Sequence, residues 1–202
     1  MAVDRSAHPD DGLASHETMG FAPTTLQLRR SSDYGKTFSN AQIINPPVEG
    51  PEFEMCSPIT PLSDGRWALP TSTWRSWEGY CPGGMRMVAL ISDDKGKSWS
   101  THWEVMNAVD RKIIFWESKI AELPDGTLAA VAWAYDEANS CDLPNHFAVS
   151  RDNGATWSNP ASTGIHGQTL TPLILQDGTI LCIYRRIDQP GLWASKCRIE
   201  DD

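Results

Sequence analysis

The sequence predicts an all-β protein, a β-propeller of four-stranded antiparallel blades, because it contains two interleaved repeats. The first is an eight-residue turn of the pattern S-x-D-x-G-x-[TS]-[WF], which occurs at 31–38, 92–99 and 150–157. The acids at its third position are 94 − 33 = 61 and 152 − 94 = 58 residues apart. This period is long for a solenoid unit and suits one propeller blade.

The second repeat is a D-G hairpin, in which a strand, a two-residue turn and another strand follow one another. It occurs at 61–70, 123–133 and 175–184. Together the two repeats give each blade four strands in the order A, D-G turn, B, loop, C, eight-residue turn, D. Such an up-and-down meander, repeated around an axis, is a propeller.

The eight-residue turns, called repeat turns below, have a structural explanation. The Asp at position three can accept hydrogen bonds from backbone N–H groups, and the Gly at position five supplies a positive φ. The aromatic residue at position eight is expected to pin the turn to the sheet edge. We therefore expect Asp33, Asp94 and Asp152 to hold turns together rather than to catalyse or to bind calcium.

The repeats also divide the chain. Residues 1–20 are polar and aperiodic, which predicts a disordered or partly ordered N-terminal arm. Residues 21–202 form a partial propeller that begins at strand C, contains two whole blades and ends with strands A, B and C. Asp201 is expected to open a further repeat turn. About three blades are too few for a closed ring, so we expect a fragment, or a half-ring that a second copy closes as a homodimer.

Composition excludes several functions. The formal charge of 17 − 26 = −9 argues against a nucleic-acid partner. No apolar run is long enough to cross a membrane, and the first residues lack a signal-peptide core. The location is therefore cytoplasmic by default, or secreted if the true N-terminus lies upstream.

The five cysteines lack metal-ligand spacing, and no cofactor motif occurs, so neither a metal nor a cofactor is expected. Cys182 alternates with apolar residues and is expected in the core. Cys81 and Cys141 lie in equivalent loops of adjacent blades and could form a disulfide in an exported protein.

The order of the strands sorts the connections onto two faces. The short D-G turns and repeat turns share one face, and the long irregular loops share the other, called the loop face below. The loop face comprises segments 45–58, 70–86, 105–118, 134–146, 161–171 and 184–192. Because binding residues concentrate in loops on rigid scaffolds, we expect the functional site there.

The repeats and their spacing resemble the sialidase superfamily of Asp-box, or BNR-repeat, propellers over roughly residues 24–202. The most specific segment is W-E-S-K-I-A-E-L-P-D-G, which begins at Trp116. The resemblance implies a six-bladed propeller and a glycoside hydrolase, possibly an exo-α-sialidase, that acts on terminal sugars of glycans. It assigns to Glu117, at the head of strand A, the carboxylate that assists a Tyr nucleophile.

Several residues of the loop face then become candidates for binding a sugar. Trp74, Arg75, Trp77 and Tyr80 crowd one loop, where the aromatic rings could stack on a sugar or pack between blades. Either Arg185 or Arg186 could meet an anionic sugar, or both could be solvated at a strand end. The remaining substrate-binding candidates are Trp116, Trp133, Tyr135 and Gln168, whose amide could bond a sugar hydroxyl, and more weakly His166, Asp136 and Glu54.

The sequence departs from the sialidase pattern at three places. The arginine motif of the opening blade and the acid/base Asp after it have no counterpart. Trp133 stands where a second carboxylate-binding arginine is expected, with Tyr135 beside it, and the nucleophilic Tyr would lie beyond residue 202. A carbohydrate-binding or interaction propeller that has lost the chemistry is therefore the alternative. In either case the expected ligand is a glycan or small sugar, possibly acidic.

Overall fold

A computed structural model describes residues 1–186 and 188–200 of the chain. These residues form four antiparallel sheets and one short 3-10 turn, Val109–Arg111, and they contain no α-helix. No helix in the described part of the chain is long and apolar enough to cross a membrane. Asp201, expected to open a further repeat turn, lies outside the described residues.

The first sheet has three strands in the order β1-β2-β3. Its strands are β1 (Ala2–Val3), β2 (Thr24–Leu28) and β3 (Gln42–Ile44). The sequence predicted no strand before β2, and this was wrong, because Ala2 and Val3 pair with Thr25 and Thr24. Two residues are too few to produce an alternating pattern.

The second sheet is a complete blade, with the order β4-β6-β7-β8. Its strands are β4 (Glu52–Glu54), β5 (Thr60–Pro61), β6 (Trp67–Trp74), β7 (Met87–Ser92) and β8 (Thr101–Met106). Both β4 and β5 pair with β6, so together they form one first strand that is interrupted at 55–59.

The third sheet is also complete and the fourth has three strands. The third contains β9 (Ile113–Glu122), β10 (Leu128–Asp136), β11 (Cys141–Asp142), β12 (His146–Ser150) and β13 (Ala161–Ser162). The fourth contains β14 (Gln168–Ile174), β15 (Ile180–Arg186) and β16 (Gly191–Cys197) in that order. Neighbours in sequence are neighbours in space, which confirms the predicted partial propeller of antiparallel blades.

The three repeat turns share one set of hydrogen bonds, as their common pattern predicts. In the second turn Ser98 donates its N–H to Asp94 Oδ1 at 2.8 Å and its hydroxyl to Oδ2 at 2.7 Å. Equivalent bonds join Thr37 to Asp33 and Thr156 to Asp152. These bonds lower the pKa of the three aspartates to about 2. The aspartates hold the turns together, as expected.

The core lies between adjacent sheets. Leu26, Leu69 and Trp99 pack between the first and second sheets. Met87, Phe115 and Leu128 pack between the second and third, and Val131, Leu170 and Tyr184 pack between the third and fourth. The aromatic residue of the repeat turn joins this packing at Trp99, which is buried, whereas Phe38 at the same position of the first turn is exposed.

Residues at the end of the predicted N-terminal arm pack against the loop that follows β6. Phe21 donates its N–H to Arg75 O, and Thr18 Oγ1 donates to Trp77 O at 2.6 Å. A side chain at Gly20 would overlap Ser76 O, at 1.7 Å from the added carbon. The arm is thus ordered where it meets the loop face, because backbone groups of both segments satisfy each other.

All five cysteines are free thiols in the structure, Cys81 and Cys141 included. Cys182 is buried at 3% exposure, as its alternating pattern predicted.

Candidate functional site

Two glutamates lie on the first strands of adjacent sheets. Glu54 ends β4, and Glu117 lies on β9. The Glu117 N–H donates to Glu54 Oε2 at 3.1 Å, and the Thr169 N–H of β14 donates to Glu117 Oε2 at 2.8 Å. A glutamate of the second sheet therefore binds the backbone of the third, and a glutamate of the third sheet binds the backbone of the fourth.

Backbone distortion makes these bonds possible. Glu117 and Thr169 have φ values of 47° and 54°, in the left-handed region that residues with a side chain rarely adopt. The strand register shifts beside both, between Val131 and Trp133 and between Gln168 and Thr171. A bulge of this kind turns an N–H out of the ladder. Such strain costs on the order of 1–3 kcal/mol and tends to occur at functional sites.

Glu117 was expected at the head of strand A, and this placement was wrong. β9 begins at Ile113, four residues earlier, because the segment before the bulge continues to pair with β10 at Trp133 to Asp136. Glu117 therefore lies in the middle of the strand and is half-buried.

Glu54 has the electrostatic properties of an acid that holds its proton near neutral pH. Its exposed fraction is 8%. Burial raises the pKa of its carboxyl group to about 7, and the nearby charge of Glu117 acts in the same direction. The hydrogen bond from the Glu117 N–H and the charge of Lys119 oppose this increase without cancelling it.

Lys119 is the cation of this cluster. Its side chain is buried at 7% exposure. The ammonium group donates to Glu117 O at 3.2 Å and to Cys56 Sγ at 3.5 Å. Burying an ammonium group is costly unless hydrogen bonds or a nearby anion offset its desolvation. The charge of Lys119 acts on the Glu54 carboxyl group and lowers its pKa, against the larger effect of burial. The cluster called the carboxylate pair below is Glu54 and Glu117, with Lys119 beside them.

A row of stacked aromatic rings adjoins the carboxylate pair. Trp116 lies 5.1 Å from Trp74 at 10° between planes, and 4.5 Å from Trp133 at 38°. Tyr135 lies 6.5 Å from Trp116. Trp74 is 1% exposed, so the interpretation of Trp74 as a sugar platform is wrong and the alternative, packing, applies. Trp133, at the far end of the row, remains partly exposed.

The three candidate arginines are all engaged. Arg75 forms a salt bridge with Glu137 and donates to Thr18 O at 3.1 Å. Arg185 donates to the side-chain oxygen of Gln168. The third, Arg186, pairs with Asp188.

A cavity of about 370 Å³ opens between the third and fourth sheets on the loop face. Its lining consists of Trp133, Asp142, His166, Gly167, Gln168 and Asp188. Glu117 is close to this lining, because Trp116 and Thr169 connect it to Trp133 and Gln168. The structure thus gathers Trp133, Gln168 and Glu117, and it places Arg75 at a separate cavity of about 270 Å³.

The weaker candidates have different surroundings. Asp136 accepts hydrogen bonds from Ala138 and Asn139 within its own turn. His166 is exposed and lines the larger cavity. Trp77 stacks on His8 of the N-terminal segment at 3.8 Å. Tyr80 is exposed at 64% and does not line the larger cavity.

Sequence reasoning underrated Glu54 and missed Lys119. One signal was available for Glu54: it precedes Glu117 by 117 − 54 = 63 residues, close to the repeat period. Its burial has no local sequence signal. Within the described part of the chain, no three His, Cys, Asp or Glu side chains are grouped closely enough to hold a metal ion.

Comparison with known proteins identifies the fold. No protein-family model matches the sequence, and no curated protein matches it. A protein of unknown function from Dyadobacter fermentans is similar in structure, with a TM-score of 0.68 at 23% identity, over 85% of this chain and 48% of that one. The NanB sialidase of Streptococcus pneumoniae has a TM-score of 0.55 at 18% identity, over 85% of this chain and 28% of that one.

A thermostable family-43 glycoside hydrolase has a TM-score of 0.52 at 12% identity, over 98% of this chain and 77% of that one. The chain spans about half the length of the Dyadobacter protein and less of the sialidase. Similarity at these identities shows the fold alone. The chain is therefore a partial β-propeller of the kind that glycoside hydrolases also use.

Proposed function

We propose that the protein is a glycoside hydrolase that acts on a terminal sugar of a glycan at the loop face. The observation that carries the proposal is the carboxylate pair. One of its members, Glu54, holds a proton near neutral pH, and the other, Glu117, is half-buried and close to a cavity of sugar size. Two carboxyl groups with different environments are the usual catalytic groups of glycoside hydrolysis.

The two groups take complementary roles in this proposal. Glu54 donates its proton to the oxygen of the leaving group as the glycosidic C–O bond breaks. Glu117 accepts the proton of the nucleophile that attacks the anomeric carbon, which agrees with the role that the sialidase resemblance implies. Lys119 offsets the negative charge of the pair after Glu54 has lost its proton. Sialosides belong in the substrate panel because of the same resemblance.

The test is the turnover of aryl glycosides that release a chromophore, including a sialoside, by the wild-type chain and two variants. Glu117→Gln and Glu54→Gln should each lower kcat/KM by about 100- to 10,000-fold, the range for loss of an acid or base. Glutamine at position 117 can still accept the Thr169 N–H, so the fold should persist. Glu104→Gln is the matched control, since Glu104 lies on the outer strand β8 and pairs with Arg86. An unchanged rate for Glu117→Gln would refute its assigned role.

A second candidate function is a carbohydrate-binding propeller without chemistry. One observation favours it: both carboxylates accept backbone N–H groups of the next sheet, which is sufficient reason for their positions. Sugar binding by the wild-type chain without turnover of any glycoside in the panel would establish this alternative.

A further inference from the structure

The cavity between the third and fourth sheets has a fixed aromatic wall. Trp133 packs against Trp116 on one side, and its Nε1 donates to Asp142 Oδ1 at 2.9 Å. These two contacts set the plane of the indole, while part of the ring remains exposed in the cavity lining. A flat apolar surface of this kind suits the C–H face of a sugar ring.

A second part of the lining, at Gly167 and Gln168, is held in place by a buried amide. Asn145 is fully buried, and its Nδ2 donates to Gly167 O at 2.8 Å and Ile165 O at 3.0 Å. Gly167 has no room for a side chain, because an added carbon would lie 2.5 Å from the Tyr184 ring. The loop that carries Gln168 into the cavity is therefore positioned before any ligand arrives, which lowers the entropic cost of binding.

The charges in the cavity lining favour uncharged ligands over anionic ones. Among the described residues that line the cavity, Asp142 and Asp188 are acids and none is a lysine or an arginine. Arg186 is paired with Asp188, and Arg185 with the Gln168 amide, outside the lining. Arg186 offsets the charge of Asp188, whereas Asp142 accepts a hydrogen bond from the neutral indole of Trp133, so Asp142 carries the negative charge that repels an anionic group. Carboxylate and amide oxygens also accept hydrogen bonds from sugar hydroxyls.

We propose that this cavity binds an uncharged sugar ring, stacked on Trp133 and bonded through hydroxyls to Asp142, Gln168 and Asp188, and that it disfavours sugars with a carboxylate. This proposal rests on the proposed function, because it names the class of sugar that the hydrolase would act on. Sugar binding can nevertheless be measured without hydrolysis. It selects a neutral sugar where the sequence had left an acidic one open.

Matched pairs of ligands test the proposal. The affinities of methyl glucoside and methyl galactoside for the whole chain are measured by titration calorimetry and compared with those of the corresponding methyl glucuronide and galacturonide. Within each pair the ligands differ in the carboxylate. At least one neutral member should bind, and its acidic partner should bind at least tenfold more weakly at low salt. Equal or tighter binding of the acidic partner, or no binding of any ligand, would overturn the proposal.

Variants locate the site. Trp133→Ala should reduce affinity for the neutral sugar at least tenfold, Trp133→Phe should restore most of it, and Tyr80→Ala should leave it unchanged, since Tyr80 is an exposed aromatic outside the cavity lining. Asp142→Asn should narrow the difference between neutral and acidic partners. Retained affinity in Trp133→Ala would refute the site.

Turnover is assayed separately, so that failure of one proposal can be told from failure of the other. Binding of a neutral sugar without turnover of any glycoside contradicts the hydrolase alone. Turnover together with a preference for acidic sugars contradicts the cavity proposal alone.

Discussion

Single residues in this protein combine structural and chemical roles. Glu117 links the third sheet to the fourth through the Thr169 N–H, and it also stands beside Glu54 and Lys119. Because the Glu117 carboxylate is bonded to the backbone of the fourth sheet, the position of the carboxylate is fixed as well. This mutual constraint provides the positional precision that an acid and a base require.

The pH dependence of stability tests the environment of Glu54. Its pKa of about 7 lies above the ordinary 4.5, so the folded state keeps a proton that the unfolded state has lost. The stabilising contribution is complete below pH 4.5 and disappears as the pH rises through 7. The free energy of unfolding of the wild type, measured by chemical denaturation, should therefore be lower at pH 8 than at pH 5. This decrease should be larger than that of Glu54→Gln by an amount on the order of 3 kcal/mol. Equal pH dependence of the two proteins would contradict a raised pKa.

At the scale of elements, the repeat turns are also joints between sheets. Arg30, which follows β2, donates to Lys95 O in the repeat turn of the second sheet at 2.7 Å. Arg66, which precedes β6, donates in the same way to Asn153 O in the turn of the third sheet at 2.8 Å. Each guanidinium also lies over a tryptophan ring, Trp67 and Trp103 respectively. The repeat therefore extends to contacts that its sequence pattern does not include.

Substitutions at two glycines with the same φ distinguish the energetic cost of a left-handed backbone from the cost of a side-chain clash. Gly154 of the third repeat turn and Gly126 of a D-G turn both have φ of 86°. A side chain at Gly154 would come within 2.3 Å of the Trp103 ring, whereas nothing lies within 4 Å at Gly126. Gly126→Ala should cost about 1–2 kcal/mol of unfolding free energy for the left-handed backbone, and Gly154→Ala about 1–3 kcal/mol more for the clash. If urea denaturation shows that both variants lose the same unfolding free energy, the Trp103 ring moves aside without cost and the predicted clash is absent.

At the scale of the whole molecule, the two end sheets are less covered than the middle ones. Ile43 in the first sheet is 49% exposed and Leu173 in the fourth is 53% exposed. Apolar side chains that are exposed singly are common on folded proteins, so these two residues mark positions at which an association can be tested and do not by themselves require one.

One of the two alternatives predicted from the blade count is a half-ring that a second copy closes, and its mass in solution tests it. Light scattering after size exclusion should give a mass near twice 22.4 kDa, and Leu173→Lys should shift the protein toward the monomer without loss of folded signal in near-UV circular dichroism. A monomer at all concentrations would contradict a homodimer, and larger aggregates would indicate open sheet edges rather than a closed ring.

The sequence by itself determined the blade plan, because each blade is written in local signals. An Asp, a Gly and a hydroxyl residue within eight positions define a turn, and D-G between alternating apolar residues defines a hairpin. The repeat turns at 31–38, 92–99 and 150–157 and the strands that flank the D-G turns were therefore confirmed. Glu117, Trp133 and Gln168 could also be chosen by motif and position, although their roles stay predictions.

Only the tertiary structure decided how the site is assembled. The bulges at Glu117 and Thr169 accompany hydrogen bonds between sheets, and the raised pKa of Glu54 is due to burial. The burial of Trp74 and the pairing of Arg75 with Glu137 and of Arg185 with Gln168 depend on residues far away in the chain, whereas Arg186 pairs locally with Asp188. The physical reason is that turns are stabilised by neighbours in sequence, whereas burial and charge depend on which blades are brought together.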